Sequence, residues 1–356
     1  MRLVRLLALL GCVLALGACG GGDGETSGET TAADTDAATT SGGAAGEGLK
    51  IGLVTDIGGL DDRSFNFLAN RGLERAENDL GVEGRVVISK SEADYVPNLT
   101  TLAKQDYDLV IAVGFLMASA LEKVAARYPD TNFAIIDFSQ SELKGKPKNV
   151  RGLLFKEQEA GYLVGYLAGL LAQEEAGAKQ VIGSVGGLKI PPVDRYIAGY
   201  QAGAKAANEG VTTLNAYSQD FVDQAKCKEL ALDQISRGAH VVFQVAGQCG
   251  LGALSAAQEK NVRGIGVDAD QAYLGEHVAT SALKKVDEAV FQTVQQVAEG
   301  SFNGGEDTVF DVASGAVGIG EISSTVPREA AAEVQRVQEE IADGTISDIP
   351  TSVQGS

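Results

Sequence analysis

Several side chains able to stack, accept or donate fall just beyond short apolar runs. Lys50-Ile-Gly-Leu-Val-Thr55 is followed by Asp56-Ile-Gly-Gly-Leu-Asp-Asp-Arg-Ser64-Phe65-Asn66, a glycine-rich loop leading into an amphipathic stretch. Ser64 suits a helix N-cap, which sets Phe65 and Asn66 in the first turn. A phenylalanine there is partly exposed unless something flat covers it. Asp137 closes Phe133-Ala-Ile-Ile-Asp137, and Asp220-Phe221-Val222-Asp223 again puts an aromatic ahead of a helix. Gly247 follows Val245-Ala246, Asp268 closes Gly264-Ile-Gly-Val-Asp268, and Lys284 follows Thr280-Ser-Ala-Leu. Carboxylates accept hydrogen bonds and an ammonium donates them. Taken singly, each residue has a plain alternative: a core phenylalanine, a capping aspartate. Together they fall at the carboxyl ends of strands, where open α/β sheets take ligands.

Signatures of catalysis are sparse. The chain has two histidines, His240 and His277, and neither has metal-ligand spacing. It contains no Gly-x-Ser-x-Gly elbow and no Gly-Lys-Ser/Thr phosphate loop. Gly183-Ser-Val-Gly186-Gly187 follows a strand but lacks the full dinucleotide fingerprint; it reads as a tight turn that something approaches closely. Asp61-Asp62 reads as an exposed turn. The expectation is a binding protein with no cofactor and no metal.

The positioning elements alternate. The first half reads as strand 50–55, helix 64–80, strand 85–90, a helix near 96–105, strand 109–113, helix 117–128 and strand 133–137. The second half repeats the rhythm at 180–185, 193–208, 212–217, 223–237, 240–245, 250–260 and 263–267. Buried strands alternating with helices of this length predict parallel sheets joined by right-handed crossovers. Two such successions in a body of about 300 residues predict two doubly wound lobes.

Residues 1–18 resemble a bacterial lipoprotein signal: Arg2 and Arg5, the apolar run Leu6–Leu16, then Gly17-Ala18 before Cys19. An apolar run of about 10 residues is half of what spanning a bilayer needs. Cys19 is thus the expected lipidation site, facing the outside of the cytoplasmic membrane. Residues 19–48 then form an acidic tether of Gly, Ala, Ser, Thr, Asp and Glu, too polar to fold. About 28 flexible residues give it a reach of roughly 30 Å. The formal net charge of −19 argues against nucleic acid and anionic lipid headgroups as partners. Cys227 and Cys249 are left in an oxidising compartment, at one rim of the second sheet. A bridge there closes a loop worth roughly 3 kcal/mol on the chain-entropy model; two free buried thiols is the alternative.

These stretches resemble the basic membrane protein family, purine nucleoside receptor lipoproteins serving ABC transporters. The resemblance runs through Asp56…Ser64-Phe65-Asn66, Phe133-Ala-Ile-Ile-Asp137, Glu159-Ala-Gly-Tyr-Leu-Val-Gly-Tyr-Leu-Ala168-Gly169 and Val185-Gly-Gly-Leu-Lys-Ile-Pro191…Tyr196-Ile-Ala-Gly199-Tyr200. It continues through Phe221-Val-Asp223, Val245-Ala-Gly-Gln-Cys-Gly-Leu-Gly252, Ile265-Gly-Val-Asp268-Ala-Asp270-Gln271 and Ser281-Ala-Leu-Lys284. It implies a type I periplasmic-binding-protein fold with three hinge crossings. Lobe 1 would hold residues 49–156 plus about 284–312, and lobe 2 residues 157–283 plus about 313–356. It implies that Phe65 and Phe221 sandwich a purine, with Tyr196 where relatives usually carry Phe. Asp56, Asn66 and Asp137 would read the base edge; Gly247, Asp268 and Lys284 would hold the ribose. The implied partners are a small ligand, an ABC permease and, through lipid, the membrane, with the protein itself a monomer. Tyr196 and the Cys227/Cys249 pair depart from the family pattern and leave room for another ligand. A sugar or autoinducer receptor with a signalling role is the first alternative, and a nucleoside hydrolase the second.

Overall fold

A computed structural model describes residues 45–175 and 180–353. The leader at residues 1–18, Cys19 and the tether as far as residue 44 lie outside the described residues. Tether residues 45–48 form a turn, in which the Gly46 N–H donates to the Leu80 carbonyl at 2.8 Å. The folded body therefore begins slightly before Gly48, because a backbone donor there finds a partner.

Elements are numbered in chain order. Lobe 1 holds β1 (Lys50–Val54), β2 (Glu83–Val87), β3 (Leu109–Ala112), β4 (Asn132–Ile136), β5 (Val150–Phe155) and β11 (Asp307–Phe310). Its helices are α1 (Phe65–Leu80), α2 (Tyr95–Ala103), α3 (Ala118–Ala125) and α8 (Val286–Ala298). Lobe 2 holds β6 (Val181–Gly186), β7 (Thr212–Tyr217), β8 (Ala239–Val245), β9 (Arg263–Asp268), β10 (Val278–Lys284) and β12 (Val317–Ile319). Its helices are α4 (Glu157–Glu175), α5 (Pro191–Ala207), α6 (Gln224–Ser236), α7 (Gly247–Glu259) and α9 (Arg328–Ala342).

The sheets run β2-β1-β3-β4-β5-β11 and β7-β6-β8-β9-β10-β12. Runs such as Leu109–Ala112 are buried throughout, as strands covered by helices on both faces must be. The first sheet is wholly parallel. The second departs from the expected all-parallel pattern, because β12 runs antiparallel to β10. β12 enters lobe 2 from β11 through the link 311–316, so it starts beside the end of β10, where Val317 pairs with Lys284, and must run back the other way. The chain passes between lobes three times: between Phe155 and Glu157, at Lys285, and through residues 311–316. Strand order reverses between β1 and β3 in one sheet and between β6 and β8 in the other. Crevices at the carboxyl ends of these strands are where such sheets bind ligands.

Helices α4 and α5 pack backbone to backbone. Gly161, Gly165 and Gly169 recur every fourth residue, so they share one face of α4. A Cβ on Gly161 would overlap the Tyr196 carbonyl, and one on Gly165 the Tyr200 carbonyl. From the other side, Gly199 and Gly203 meet the carbonyls of Gln158 and Tyr162. A large side chain at this seam must push the helices apart, at a cost of about 1–3 kcal/mol or more. Gly203→Leu is therefore expected to lower Tm by several degrees, and an unchanged melting curve would show that the close approach is dispensable.

Candidate functional site

The loop after β1 is organised by Asp62. This carboxylate, only 2% exposed, accepts from the Ser64 and Phe67 N–H groups through Oδ1 (3.0 and 3.1 Å). Its Oδ2 accepts from the Asn66 N–H and Asn66 Nδ2 (2.8 and 3.0 Å). A negative group here also faces the positive end of the α1 dipole. Two expectations are thereby corrected. Asp62 is not part of an exposed turn, and the cap on α1 is its carboxylate, because the Ser64 hydroxyl is engaged elsewhere. Ser64 Oγ donates across to lobe 2, to Asp268 Oδ2 at 2.8 Å and the Val267 carbonyl at 3.2 Å. An aspartate in the turn before a helix is itself a capping signal, and would have pointed to Asp62 as well as Ser64.

Asn66 Oδ1 accepts from the Asp56 N–H at 2.8 Å, so the amide is held at both ends by protein. Asp56 Oδ1 accepts from the Ile57 N–H at 2.7 Å and from the Tyr95 hydroxyl. Burial raises Asp56 to about 6, against the pull of these two hydrogen bonds. Phe65, the first residue of α1, is left half-buried.

Lobe 2 supplies the opposing wall. The half-buried Phe221 ring lies over Gly187, where any Cβ would overlap it. The close approach expected at Gly186-Gly187 is made by this ring at Gly187 and by the Tyr217 ring at Gly186. Asp268 Oδ1 accepts from the Tyr196 hydroxyl at 3.2 Å. Tyr196 is buried, and its ring meets Phe243 edge-on at 6.1 Å. Burial raises Asp268 to about 6, although nearby Lys284 and the Ser64 bond pull it down. Asp137 and Asp268 both have positive φ, 70° and 60°, a backbone state that aspartate tolerates better than most residues.

Lys284 ends β10 with its side chain buried. Its Nζ lies 2.6 Å from Asp137 Oδ1 and 3.0 Å from Glu157 Oε1. It also sits 5.1 Å from the Phe65 ring centroid and 4.9 Å from that of Phe155. Burial acts to lower this amine, but Asp137, Glu157 and Asp268 together hold it above the ordinary lysine range. The ammonium therefore stays charged.

Asp56, Phe65, Asn66, Asp137, Tyr196, Phe221, Gly247, Asp268 and Lys284 all line one cavity between the lobes. Its empty space, open mouth included, is about 630 Å³, of which the centres of water-sized spheres can occupy about 80 Å³. Sequence reasoning did not single out the other wall residues as binding residues, among them Asp62, Gly114, Phe115 and Gln248. Four lining carboxylates, Asp56, Asp62, Asp137 and Asp268, face one lining ammonium, Lys284. Such a wall suits a neutral guest rich in donors and repels anions. Elsewhere in lobe 2, Cys227 in the first turn of α6 and Cys249 in that of α7 have their sulfurs at bonding distance, with Cα atoms 5.5 Å apart. Among the described residues no three His, Cys, Asp or Glu side chains are grouped to hold a metal. Nor is any described helix long and apolar enough to cross a membrane.

If Asp56 and Asp268 contact the guest, binding is expected to depend on pH. Donors on a guest favour the ionised carboxylates, so binding lowers both pKa values and releases protons near pH 6. Affinity is expected to rise from pH 5 to 7 and level off above. In the empty protein the sign is opposite. The folded state holds these protons more tightly than the unfolded chain, so the two groups oppose folding increasingly from pH 4 to about 6. Calorimetry in buffers of different ionisation enthalpy checks this, and equal affinity at pH 5 and 7 would remove both carboxylates from the contact.

Residues 49–351 match the Bmp family, described as ABC transporter substrate-binding protein PnrA-like. The chain belongs to the Bmp family. An uncharacterised lipoprotein of Pyrococcus furiosus is 36% identical, over 73% of this chain and 67% of its own length. The ABC transporter nucleoside-binding protein BmpA of Lactococcus lactis is 33% identical, over 84% of this chain and 88% of its own. A solved ABC-transporter solute-binding protein from Aeropyrum pernix superposes with a TM-score of 0.78 at 28% identity, covering 85% of this chain and 94% of that one. This Bmp-family protein is thus an ABC transporter substrate-binding protein, with a small-molecule ligand and a permease as its partners.

Proposed function

We propose that the protein binds a purine nucleoside between its lobes and delivers it to an ABC permease, held at the outer face of the cell membrane by lipid on Cys19. One observation carries the reading: Phe65 from lobe 1 and Phe221 from lobe 2 line a single cavity whose charged groups are mostly carboxylates. A purine offers two apolar faces for such rings, and stacking on an aromatic is worth about 1–3 kcal/mol per base. Asp56 and Asp137 accept from the base edge, while Asn66, tied to Asp56 and Asp62, holds that edge of the wall in place. Asp268 and Lys284 take the ribose hydroxyls, and Gly247 lets the sugar approach the backbone. The Lactococcus lactis relative, named for nucleoside binding, supports the same assignment. A phosphate would meet the carboxylates, so nucleosides fit better than nucleotides.

Calorimetry with inosine, guanosine, adenosine and ribose tests the reading, together with an assay for release of free base. At least one nucleoside binds and is left intact, and ribose alone binds far more weakly. Binding of a sugar in preference to every nucleoside overturns it. The mature protein is expected to carry a diacylglyceryl group on Cys19, visible by mass. We also read Cys227 and Cys249 as a disulfide. Reduction then lowers thermal stability, and two free thiols in the exported protein would exclude the bridge.

A further inference from the structure

Glu157 is the first residue of α4, directly after the first passage between lobes. It is fully buried, lies behind the cavity wall, and matches no motif in the sequence reading. Its Oε1 accepts from Lys284 Nζ at 3.0 Å, and its Oε2 lies 3.4 Å from Arg195 Nη1. Lys284 stands just before the second passage, and its ammonium also reaches Asp137 of lobe 1 at 2.6 Å. An ammonium has three donors on a flexible four-carbon stem. Asp137 alone would leave the nitrogen free to swing about one contact. Glu157 adds a fixed hydrogen-bond acceptor from another element, so the ammonium is held between two carboxylates while it still lines the cavity, with donor capacity left for a guest. Arg195 balances the second oxygen of Glu157, which lets the lysine keep its charge for a guest.

We propose that Glu157 is a positioning residue that aims an N–H of Lys284 at a hydroxyl oxygen of the bound sugar, and so makes the site select for that hydroxyl. The proposal rests on the nucleoside reading above. A site built to hydrogen-bond a hydroxyl rejects the analogue lacking it, because its own buried polar group is then unpaired. Glu157→Asp keeps the charge but withdraws the oxygens by about 1.5 Å, one carbon–carbon bond. Glu157→Gln keeps the length but sets an amide N–H₂ between two cations.

The experiment compares inosine with 2′-, 3′- and 5′-deoxyinosine on the wild type and both variants, with Tm measured alongside. The wild type disfavours at least one deoxy analogue by 10-fold or more. In Glu157→Asp that preference falls about 10-fold with little change in Tm, because inosine weakens and the analogue does not. Preferences retained in both variants overturn the proposal, even if stability drops. A second readout needs no nucleoside: nitrogen-detected NMR of the Lys284 ammonium. A slowly exchanging signal in the wild type, lost in Glu157→Asp, supports the proposal; an identical signal in both overturns it. If the wild type binds no nucleoside, the parent reading fails, and this second measurement still decides the role of Glu157.

Discussion

Phe65→Ala is expected to weaken nucleoside binding by roughly 10- to 100-fold, the span that loss of one base–aromatic stack covers. Phe65 is not a core side chain that happens to touch the cavity. It is half-buried at the first position of α1, and that position is set by Asp62 capping the helix. The ring has a second role, because the charged nitrogen of Lys284 lies 5.1 Å from its centroid. Removing it therefore takes away a stacking face and a cation–π partner. Phe221→Ala is expected to act in the same range from the other lobe, and the two losses to add if each ring covers one face of the base. Both variants should fold, since neither ring is fully buried. Calorimetry with inosine and a melting curve give the answer, and wild-type affinity in Phe65→Ala removes that ring from the site.

Lys284→Met is the most damaging single change. It leaves Asp137 and Glu157 buried without the ammonium between them, and losing one partner of a buried ion pair costs about 3–5 kcal/mol. The loss is pH-dependent, and its sign follows from proton linkage. Burial raises Glu157, and without the ammonium that pulls it down it holds its proton still more tightly folded than unfolded, so the variant recovers stability as pH falls and loses it as pH rises. Urea unfolding at pH 8 should show a deficit of several kcal/mol that narrows at pH 5, with nucleoside binding abolished at both. Equal stability of variant and wild type at pH 8 would show that the three groups are not the interdependent cluster their 2.6 and 3.0 Å separations imply.

Elements whose signals are local were readable along the chain. The strand and helix at 50–54 and 65–80 fall within a residue of expectation, as does the strand 212–217. Periodicity does not mark helix α4, and the reason is its surroundings. It packs against α5, α9, β10 and β12, so it is apolar around much of its circumference and lacks a polar stripe to mark its period. The short strands β11 and β12 carry too few residues for alternation to register. The three passages between lobes came from the family resemblance and not from pattern.

The candidate site divides in the same way. That Asp56, Phe65, Asp137, Phe221, Gly247, Asp268 and Lys284 stand at the carboxyl ends of strands follows from strand boundaries, which local sequence determines. Which groups they meet does not. Ser64 finds Asp268 across 204 positions, and Lys284 finds Glu157 across 127. Such pairings exist only once two separately wound sheets face each other and water has left the space between them. Burial then gives each polar contact its weight, because a donor or charge without a partner is costly only where solvent cannot reach it. Sequence alone could place the side chains on the rim; only the closed pair of lobes decided which of them grip, which brace, and which hold the lysine still.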